Sequence, residues 1–409
     1  MMNTNTKKGR KKAPPIPQSS LKCFKYFKVL TPILQKLKPI YDHHNRTLHY
    51  DQYISLLLFY FFNPIITSLR AISQVSELKK VQKILGVKKS SLASLSEAGT
   101  VFDSKLLAPL IKELADKSLP LETDPKLKNI QKQLVAVDGS LLPALPKILW
   151  ALWLDKDHRA AKMHLEFDII KNVPIRAELT NGNGNEKENL RNSLTPDKLY
   201  ILDAGYGQYK LFNDIHKIGS NFVARLHDNA VWKTIESRSL SKDDQAAGVE
   251  RDMIVQLGSP KCENDISDNV RIIEIFHKGS SNRKRKSRVS SKKTFRTTES
   301  DYTMLLCTDR MDLPAEVIAL IYRYRWQVEL YFRWFKCVLG FNHFLAYSEN
   351  GLTLQMYCAL IASMLISLWT GRKPTKRTLE MLQYHFIGLA DDEELSNHIE
   401  KLKKIDKNI

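Results

Sequence analysis

Two aspartates directly follow short apolar segments of the sequence. Asp138 comes after the run 134–137 and Asp203 after the run 199–202, and each has a glycine within two residues. Such runs are typical of buried strands, so both carboxylates are expected at a sheet edge. A single aspartate there is most often a turn residue or a helix cap. Two on neighbouring strands would repel unless a cation stood between them, and oxygen-only ligands favour Mg²⁺ or Mn²⁺.

A third carboxylate lies far along the chain, in a segment predicted to form one long helix over 315–339. Polar residues recur there at separations of three, four and seven positions: Tyr322, Arg325, Glu329 and Lys336. At about 100° per residue, their side chains fall within an arc of about 60° on one helix face. The simplest alternative is a solvated face on which Arg325 and Glu329 form an i,i+4 ion pair.

Aromatic residues argue against an ordinary solvated face. Besides Tyr322, the same segment holds six of them: Tyr324, Trp326, Tyr331, Phe332, Trp334 and Phe335. Aromatic rings among arginines and lysines suit stacking on bases and binding of phosphates. The helix is therefore predicted to bring a carboxylate, two cations and a phenol to a nucleic-acid site.

The same residues resemble the motifs of a known family, the DDE transposases of insertion-sequence family four with their Y-R-E-K signature. Three motifs carry the resemblance: Tyr322-x2-Arg325-x3-Glu329-x6-Lys336, Val137-Asp138-Gly139, and Asp203-Ala204-Gly205-Tyr206. The resemblance extends over residues 45–370. It implies an RNase H-like catalytic domain, with a β-rich insertion between the second aspartate and the glutamate.

The resemblance also implies a role for each residue. Asp138, Asp203 and Glu329 would form the catalytic triad and hold two Mg²⁺ or Mn²⁺ ions. The phosphates of the element's terminal DNA would be held by Tyr322, Arg325 and Lys336. Members of the family cut the ends of an insertion element, typically through a hairpin intermediate, and join them to target DNA. They act as dimers on paired DNA ends, so a homodimer on DNA is expected.

Composition and charge favour a polyanionic partner. The chain has 409 residues, of which 43% are hydrophobic, so a globular core is expected and a disordered or fibrous chain is excluded. Its net charge is +19. Ten lysines and arginines lie in 1–40 and nine in 278–296, without an acid in either run. Each run is either a solvated tail or a phosphate-binding arm, and we favour the second. The DNA-binding residues expected in the second run are Arg283, Lys284, Arg285 and Lys286.

The predicted fold class is α/β. An RNase H-like mixed-sheet core, interrupted by a β-rich insertion, is expected between an N-terminal all-α domain and a helical C-terminus. The predicted segments are a basic arm (1–40), a helical DNA-binding domain (41–130), the first part of the core (131–229), the insertion with its basic loop (230–312), the second part of the core with the glutamate helix (313–370) and a helical tail (371–409). Helices at 76–85 and from 90, around Gly86, form either a DNA-reading helix-turn-helix or a plain helical hairpin.

Other features favour a cytoplasmic protein without a membrane partner. The apolar segments 56–62 and 356–369 are too short to cross a bilayer and are predicted to be buried helices. The five cysteines show neither close pairs nor metal-type spacing, which favours a reducing compartment and no zinc site. His164, Glu166 and Asp168 alternate along one predicted strand, as metal ligands or as the polar side of a half-exposed strand.

Three functions are compatible with these features. A DDE transposase is the leading hypothesis. An RNase H-like nuclease that hydrolyses DNA without joining it would use the same carboxylates. A DNA-binding regulator with an inactive core would read its site through the helices of 75–100, but the presence of all three carboxylates weighs against it.

Overall fold

The structure is a computed structural model of the chain. It describes residues 34–40, 46–121, 124–143, 148–151, 153, 159–258, 269–277, 302–339 and 344–407. By their contacts the described residues form two compact units, one with the residues up to Ala98 and those from Thr375, the other from Gly99 to Pro374. This division lies inside the segment 41–130, and the predicted domain boundaries stay predictions.

Both helices and strands occur along the chain, and each type is numbered in chain order. The helices are α1 (Tyr50–Phe62), α2 (Leu69–Ser76), α3 (Lys79–Leu85), α4 (Leu92–Val101), α5 (Ala108–Lys117), α6 (Pro125–Lys128), α7 (Glu186–Arg191), α8 (Tyr209–Lys217), α9 (Lys242–Ala246), α10 (Ala315–Tyr324), α11 (Trp326–Leu339), α12 (Glu349–Thr370), α13 (Lys376–Phe386) and α14 (Asp392–Lys407). The strands are β1 (Gln133–Pro143), β2 (Ala160–Asp168), β3 (Val173–Asn181), β4 (Lys198–Leu202), β5 (Asn221–Arg225), β6 (Trp232–Ser237), β7 (Val249–Leu257), β8 (Val270–His277) and β9 (Tyr302–Thr308).

The first unit is helical. The predicted buried helix over 56–62 is the buried second half of α1. The rings of Phe62 and Phe386 stack with centroids 5.5 Å apart and join α1 to α13. The prediction of one helix over 76–85 is wrong, because α2 ends where that helix should begin. Leu78 precedes α3 and is 54% exposed instead of lying on an apolar face. Gly86 ends α3 as predicted, with φ at 66°.

One mixed sheet runs through the second unit. Its nine strands have the order β3-β2-β1-β4-β5-β9-β8-β7-β6. Strand β4 is parallel to β1 and β5 is parallel to β4, whereas the other neighbours are antiparallel. The sequence pattern also predicts strands at 164–170, 175–180, 222–226, 270–276 and 302–307, and with 199–202 these correspond within a few residues to β2, β3, β5, β8, β9 and β4. Strands β6 and β7 were missed: nearly all of β6 is exposed, and buried and exposed positions do not alternate regularly in β7. The α/β class is confirmed at the level of a large mixed sheet with many helices.

Helices cover both faces of this sheet. Helix α8 packs on one face, where the rings of Phe212 and Phe222 stack with centroids 4.3 Å apart. Helix α11 packs on the other face, with the ring of Tyr331 5.0 Å from that of Phe167. The hydroxyl groups of Tyr331 and Ser363 lie 2.7 Å apart and join α11 to α12.

The predicted buried helix over 356–369 is confirmed as part of α12, but the helix extends over 22 residues, so the expectation that it is too short to cross a bilayer is wrong. Within the described ranges, α12 is the one helix long and apolar enough to cross a membrane by length and composition. In its most apolar window, 89% of the residues are buried inside the protein. The helix therefore forms the core beneath α11.

Candidate active site

Parallel strands β1 and β4 bring Asp138 and Asp203 to the same level of the sheet. Ala136 pairs with Ile201, two residues before each aspartate. Adjacent strands lie about 4.8 Å apart, so this register places the two residues side by side. The predicted strand end after residue 202 is confirmed, and the Asp203 carboxylate accepts the N–H of Gly205 at 2.9 Å.

Strand β1 does not end at Asp138, contrary to the prediction. Pairing with β4 stops at residue 136, but pairing with β2 continues through Asp138 and Leu165 as far as Pro143. An antiparallel neighbour thus extends the strand beyond the run that the sequence marks. Asp138 stands where β1 has lost its parallel neighbour, and this leaves one edge open at the carboxylate.

Gly139 leaves room for the side chain of Glu186, which packs closely against it; it does not form a turn. A Cβ atom at this position would lie 2.7 Å from Oε1 of Glu186. Glu186 begins α7 and forms an ion pair with Lys162 at 3.1 Å. Sequence analysis missed Glu186. Its only distinguishing feature in the sequence is that it follows the Asn-Gly-Asn-Gly segment 181–184, which interrupts regular structure.

The predicted single helix over 315–339 is wrong, because two helices meet at Arg325. The backbone N–H of Arg325 donates to the carbonyl of Tyr322 at 3.0 Å, and that of Val328 donates to Arg325 at 3.1 Å. These i,i+3 bonds replace the α-helical ladder with one tight turn. Neither proline nor glycine marks the change, so the sequence contains no signal for it.

The turn directs Arg325 toward two carboxylates. Its guanidinium forms an ion pair with Glu329, and its Nη1 lies 3.9 Å from Oδ2 of Asp138. Its Cζ atom also lies 5.8 Å from the centroid of the Tyr322 ring. The fold therefore brings Arg325 and Glu329 close to Asp138, which lies nearly 190 positions earlier in the sequence. The ion pair expected for a solvated face is present, but both partners are only partly exposed.

The pKa values of Asp138 and Lys336 are shifted by burial and by the charges of neighbouring site residues. Burial, together with the charges of Asp203 and Glu329, raises the pKa of Asp138 to about 7, although Arg325 opposes the rise. Burial lowers the pKa of Lys336, and the charge of Asp138 opposes that shift. The carboxyl of Asp138 therefore lies within electrostatic reach of the other charged residues that the sequence predicts for the site.

The prediction that six aromatics line a base-stacking face is wrong for four of them. The residues at most 8% exposed are Tyr331, Phe332, Trp334 and Phe335. They form the buried side of α11, because an aromatic stripe of this kind also suits a helix that packs on a sheet. Trp326 is 51% exposed. It borders a cleft that is also lined by Tyr322, Arg325 and Arg225.

Arg225 is a second residue that was missed in the sequence. It ends β5, the third of the parallel strands, so a charged residue after an apolar strand was its signal. Burial raises the pKa of the Tyr322 phenol, and the charges of Arg325 and Arg225 oppose the rise. Arg225 thus adds a positive charge beside Tyr322 and Arg325, two of the residues predicted to bind DNA phosphates.

The donor chemistry of the site fits Mg²⁺ or Mn²⁺. Asp138, Asp203 and Glu329 offer oxygen ligands alone, and the raised pKa of Asp138 marks a carboxylate that a nearby cation would hold in its charged form. Among the described residues, no three His, Cys, Asp or Glu side chains converge closely enough to hold an ion. The guanidinium of Arg325 supplies the positive charge between Asp138 and Glu329 instead.

Other predicted residues lie apart from this site or outside the described ranges. The basic residues Arg283, Lys284, Arg285 and Lys286 belong to the segment 278–301, which the structure does not describe. On β2, His164 bonds with Thr180 at 2.9 Å and Glu166 pairs with Lys198 at 2.8 Å. Asp168 accepts the side-chain N–H of Gln133 at 2.8 Å. All three residues are at most 3% exposed, so the expected half-exposed strand is wrong: β2 is buried, and its polar side chains pair with other protein groups.

Comparison with known proteins identifies the family. The model of the transposase DDE domain matches residues 129–365, which contain both aspartates, Tyr322, Arg325 and Glu329. The chain belongs to this family of DDE transposases.

Named transposases are among its relatives. A Sinorhizobium fredii protein named as a transposase is 29% identical over 51% of this chain, and the match spans about half (53%) of that relative's length. A transposase for insertion sequence element IS5377 of Geobacillus stearothermophilus is 24% identical over 68% of this chain and 66% of its own. One for element IS4SA of Synechocystis is 22% identical over 68% and 71%.

A solved piggyBac transposase synaptic complex with hairpin DNA is also similar. It is 11% identical, with coverage of 94% of this chain and 82% of that chain. The TM-score of 0.40 is below the level that shows a shared fold.

Proposed function

We propose that this protein is a DNA transposase that cuts the ends of an insertion-sequence element and joins them to target DNA. One observation carries the proposal: the register of parallel strands β1 and β4 brings Asp138 and Asp203 to the same level of the sheet, and Asp138 lies within electrostatic reach of Asp203, Glu329, Arg325 and Lys336. The strand order β3-β2-β1-β4-β5, with β4 and β5 parallel to β1 and with β2 antiparallel to both its neighbours, supports an RNase H-like core. Family membership supports the DDE type of chemistry.

Asp138, Asp203 and Glu329 would hold two Mg²⁺ or Mn²⁺ ions, which activate the attacking oxygen and stabilise the leaving oxygen of a phosphodiester. Asp138 must lose its proton to serve as a ligand, and its pKa of about 7 makes that step accessible near neutral pH. In the first step water would attack the phosphorus at the element's end, and the P–O3′ bond would break to leave a free 3′-OH. In the second step this 3′-OH would attack a phosphorus of the target strand, and the target's own 3′-oxygen would leave, so that one P–O bond forms and one breaks in each step. The hairpin route is part of the proposal only through the resemblance to family four.

Arg325 has to change partners when DNA binds. In the structure its guanidinium pairs with Glu329, whereas a DNA phosphate would offer two oxygens to the same planar fork. Transfer to the phosphate frees the carboxylate of Glu329 to act as a ligand. Arg225 adds positive charge at the cleft, and Lys336 lies within electrostatic reach of Asp138. The ring face of Tyr322 supports the guanidinium of Arg325.

The proposed partners are the terminal inverted repeats and the target DNA, bound by a homodimer that pairs two ends in the cytoplasm. The helices of the first unit and the basic run with Arg283–Lys286 are proposed to bind DNA outside the active site. Family resemblance and the charge of +19 support this part of the proposal.

The test is incubation of the protein with Mg²⁺ and DNA carrying the inverted repeats that flank its gene. Strand-transfer products support the transposase. Nicks without joining would favour the RNase H-like nuclease, and a mobility shift without cleavage would favour the regulator.

A further inference from the structure

The short segment 310–316 leads into α10 and is held from outside by three side chains. One follows β6, one lies on α9 and one lies on β8, all between Asp203 and Glu329 in the sequence. The three are Arg238, Asp244 and Arg271, and we call them the bracket. Their contacts on this segment are each directional, so they define both its position and its orientation.

Arg271 is the deepest member of the bracket. It is 1% exposed and forms a two-point ion pair with Asp252, at 2.7 and 2.6 Å. Its Nη1 also donates to the backbone carbonyls of Arg310, at 3.2 Å, and Leu313. A buried guanidinium that is fixed on one side by a carboxylate holds the carbonyls on its other side in one place.

Asp244 supplies the N-terminal cap that α10 lacks in its own sequence. Pro314 occupies the N-cap position and makes no side-chain cap bond. The Oδ1 atom of Asp244 accepts the N–H of Glu316 at 2.8 Å, while its Oδ2 atom accepts the N–H and Oγ–H of Ser241 at 2.9 and 2.7 Å. A carboxylate at this place satisfies a free donor of the first turn and interacts favourably with the helix dipole.

Arg238 provides the third contact. Its Nη1 donates to the carbonyl of Met311 at 3.1 Å, and its own backbone N–H donates to the carbonyl of Asp252 at 2.8 Å. The two arginines of the bracket are thus both tied to Asp252, so their contacts on 310–313 are set by one rigid part of β7.

The position of the first turn of α10 determines the position of Arg325 and Glu329, which lie further along the α10–α11 helix pair. Glu316 is nine residues before Arg325 and thirteen before Glu329, and nearly all residues between are helical. A helix transmits a shift of its first turn to its far end, and an error of about 1 Å in a catalytic group can cost about a hundredfold in rate.

We infer that Arg238, Asp244 and Arg271 are positioning residues that fix the start of α10 and thereby the place of Arg325 and Glu329. The strands between Asp203 and Glu329 then serve the cleavage step itself, in addition to any contact they make with DNA. This inference rests on the proposed transposase function.

The experiment compares Asp244→Ala with Asp243→Ala in the full chain. Both changes remove one acidic residue from α9, but the first removes the cap on α10, whereas Asp243 is exposed. For Asp244→Ala we expect faster hydrogen exchange at amides 315–324 and unchanged exchange in β1 and β4. Single-turnover cleavage should fall by about ten- to a hundredfold, with DNA affinity within about twofold of wild type.

Controls separate positioning from folding. Asp243→Ala should match wild type, and Asp244→Asn, which keeps one acceptor for the N–H of Glu316, should recover most of the cleavage. Arg271→Lys keeps the charge but loses the fork that reaches two carbonyls, so it should repeat the defect.

Three results would overturn the inference: unchanged exchange at 315–324 in Asp244→Ala, faster exchange there without loss of cleavage, or a loss of cleavage matched by an equal loss of DNA binding. If wild type cleaved no DNA, the proposed function would fall, and the exchange at 315–324 alone would decide whether the bracket holds α10.

Discussion

The two halves of the candidate site are positioned in different ways. Asp138 lies on β1 and Asp203 directly follows β4, and the hydrogen bonds between these adjacent parallel strands fix the register two residues before both. Glu329 lies on α11, beyond a tight turn at Arg325, and the start of α10 is held by side chains from distant parts of the chain. The strand-borne half is therefore defined locally, whereas the helix-borne half depends on contacts across the fold and can change partners.

The largest expected effect comes from the strand-borne half. Asp203→Asn keeps an oxygen that can accept the N–H of Gly205, so the thermal midpoint should stay near that of wild type. Cleavage should fall by about a thousandfold, since a group directed at the reacting charge is worth roughly 10²–10³ in rate. Asp228→Asn, an exposed residue beyond β5, is the matched control and should be fully active. Normal cleavage by Asp203→Asn would remove this residue from the site.

A smaller effect is expected where the helix-borne half changes partners. Arg325→Ala removes the guanidinium that pairs with Glu329 and lies near Asp138. Cleavage should fall by about a hundredfold, because the phosphate loses its two-point partner. Mn²⁺ binding by the DNA-free protein should nevertheless become tighter, as measured by titration calorimetry. Equal or weaker Mn²⁺ affinity in this variant would contradict the exchange of partners.

The pKa of Asp138 predicts how stability depends on pH. The pKa of the Asp138 carboxyl is about 4 in the unfolded chain and about 7 in the folded protein. Between these values the folded protein holds a proton that the unfolded chain has lost, so this contribution is full at low pH and is lost as pH rises through 7. Asp138→Asn cannot ionise, and in metal-free urea unfolding it should gain stability relative to wild type as pH rises. Parallel pH curves for the two proteins would contradict the raised pKa.

The smallest effect concerns the packing beside Asp138. Gly139→Ala places a methyl group against Glu186, whose flexible end can yield, so we expect a loss of about 1 kcal/mol in unfolding free energy. In a Glu186→Ala background the same change should be nearly neutral. A full loss in both backgrounds would show that backbone conformation, not the close approach, requires glycine here.

The sequence predicted the strand-borne half better than the helix-borne half, for physical reasons. Apolar runs ending in aspartate are local signals. Asp203 follows its strand as predicted, and Asp138 lies at the same level of the sheet although β1 continues beyond it. The turn at Arg325 leaves no local signal, because hydrogen bonding in the assembled helix pair determines it. The bracket contacts and the burial of Phe332 or Trp334 depend on tertiary packing, which a helical spacing alone cannot distinguish from a DNA-facing surface.

Strand-borne and helix-borne carboxylates are proposed to act on one set of divalent ions at the DNA. Counting bound Mn²⁺ by electron paramagnetic resonance, in the complex with inverted-repeat DNA, tests this most directly. We predict two ions per wild-type chain, as two-metal phosphodiester chemistry requires, and fewer in Asp203→Asn and in Glu329→Gln alike. Unchanged occupancy in Glu329→Gln, with loss only in Asp203→Asn, would contradict the proposal that the two halves share these ions.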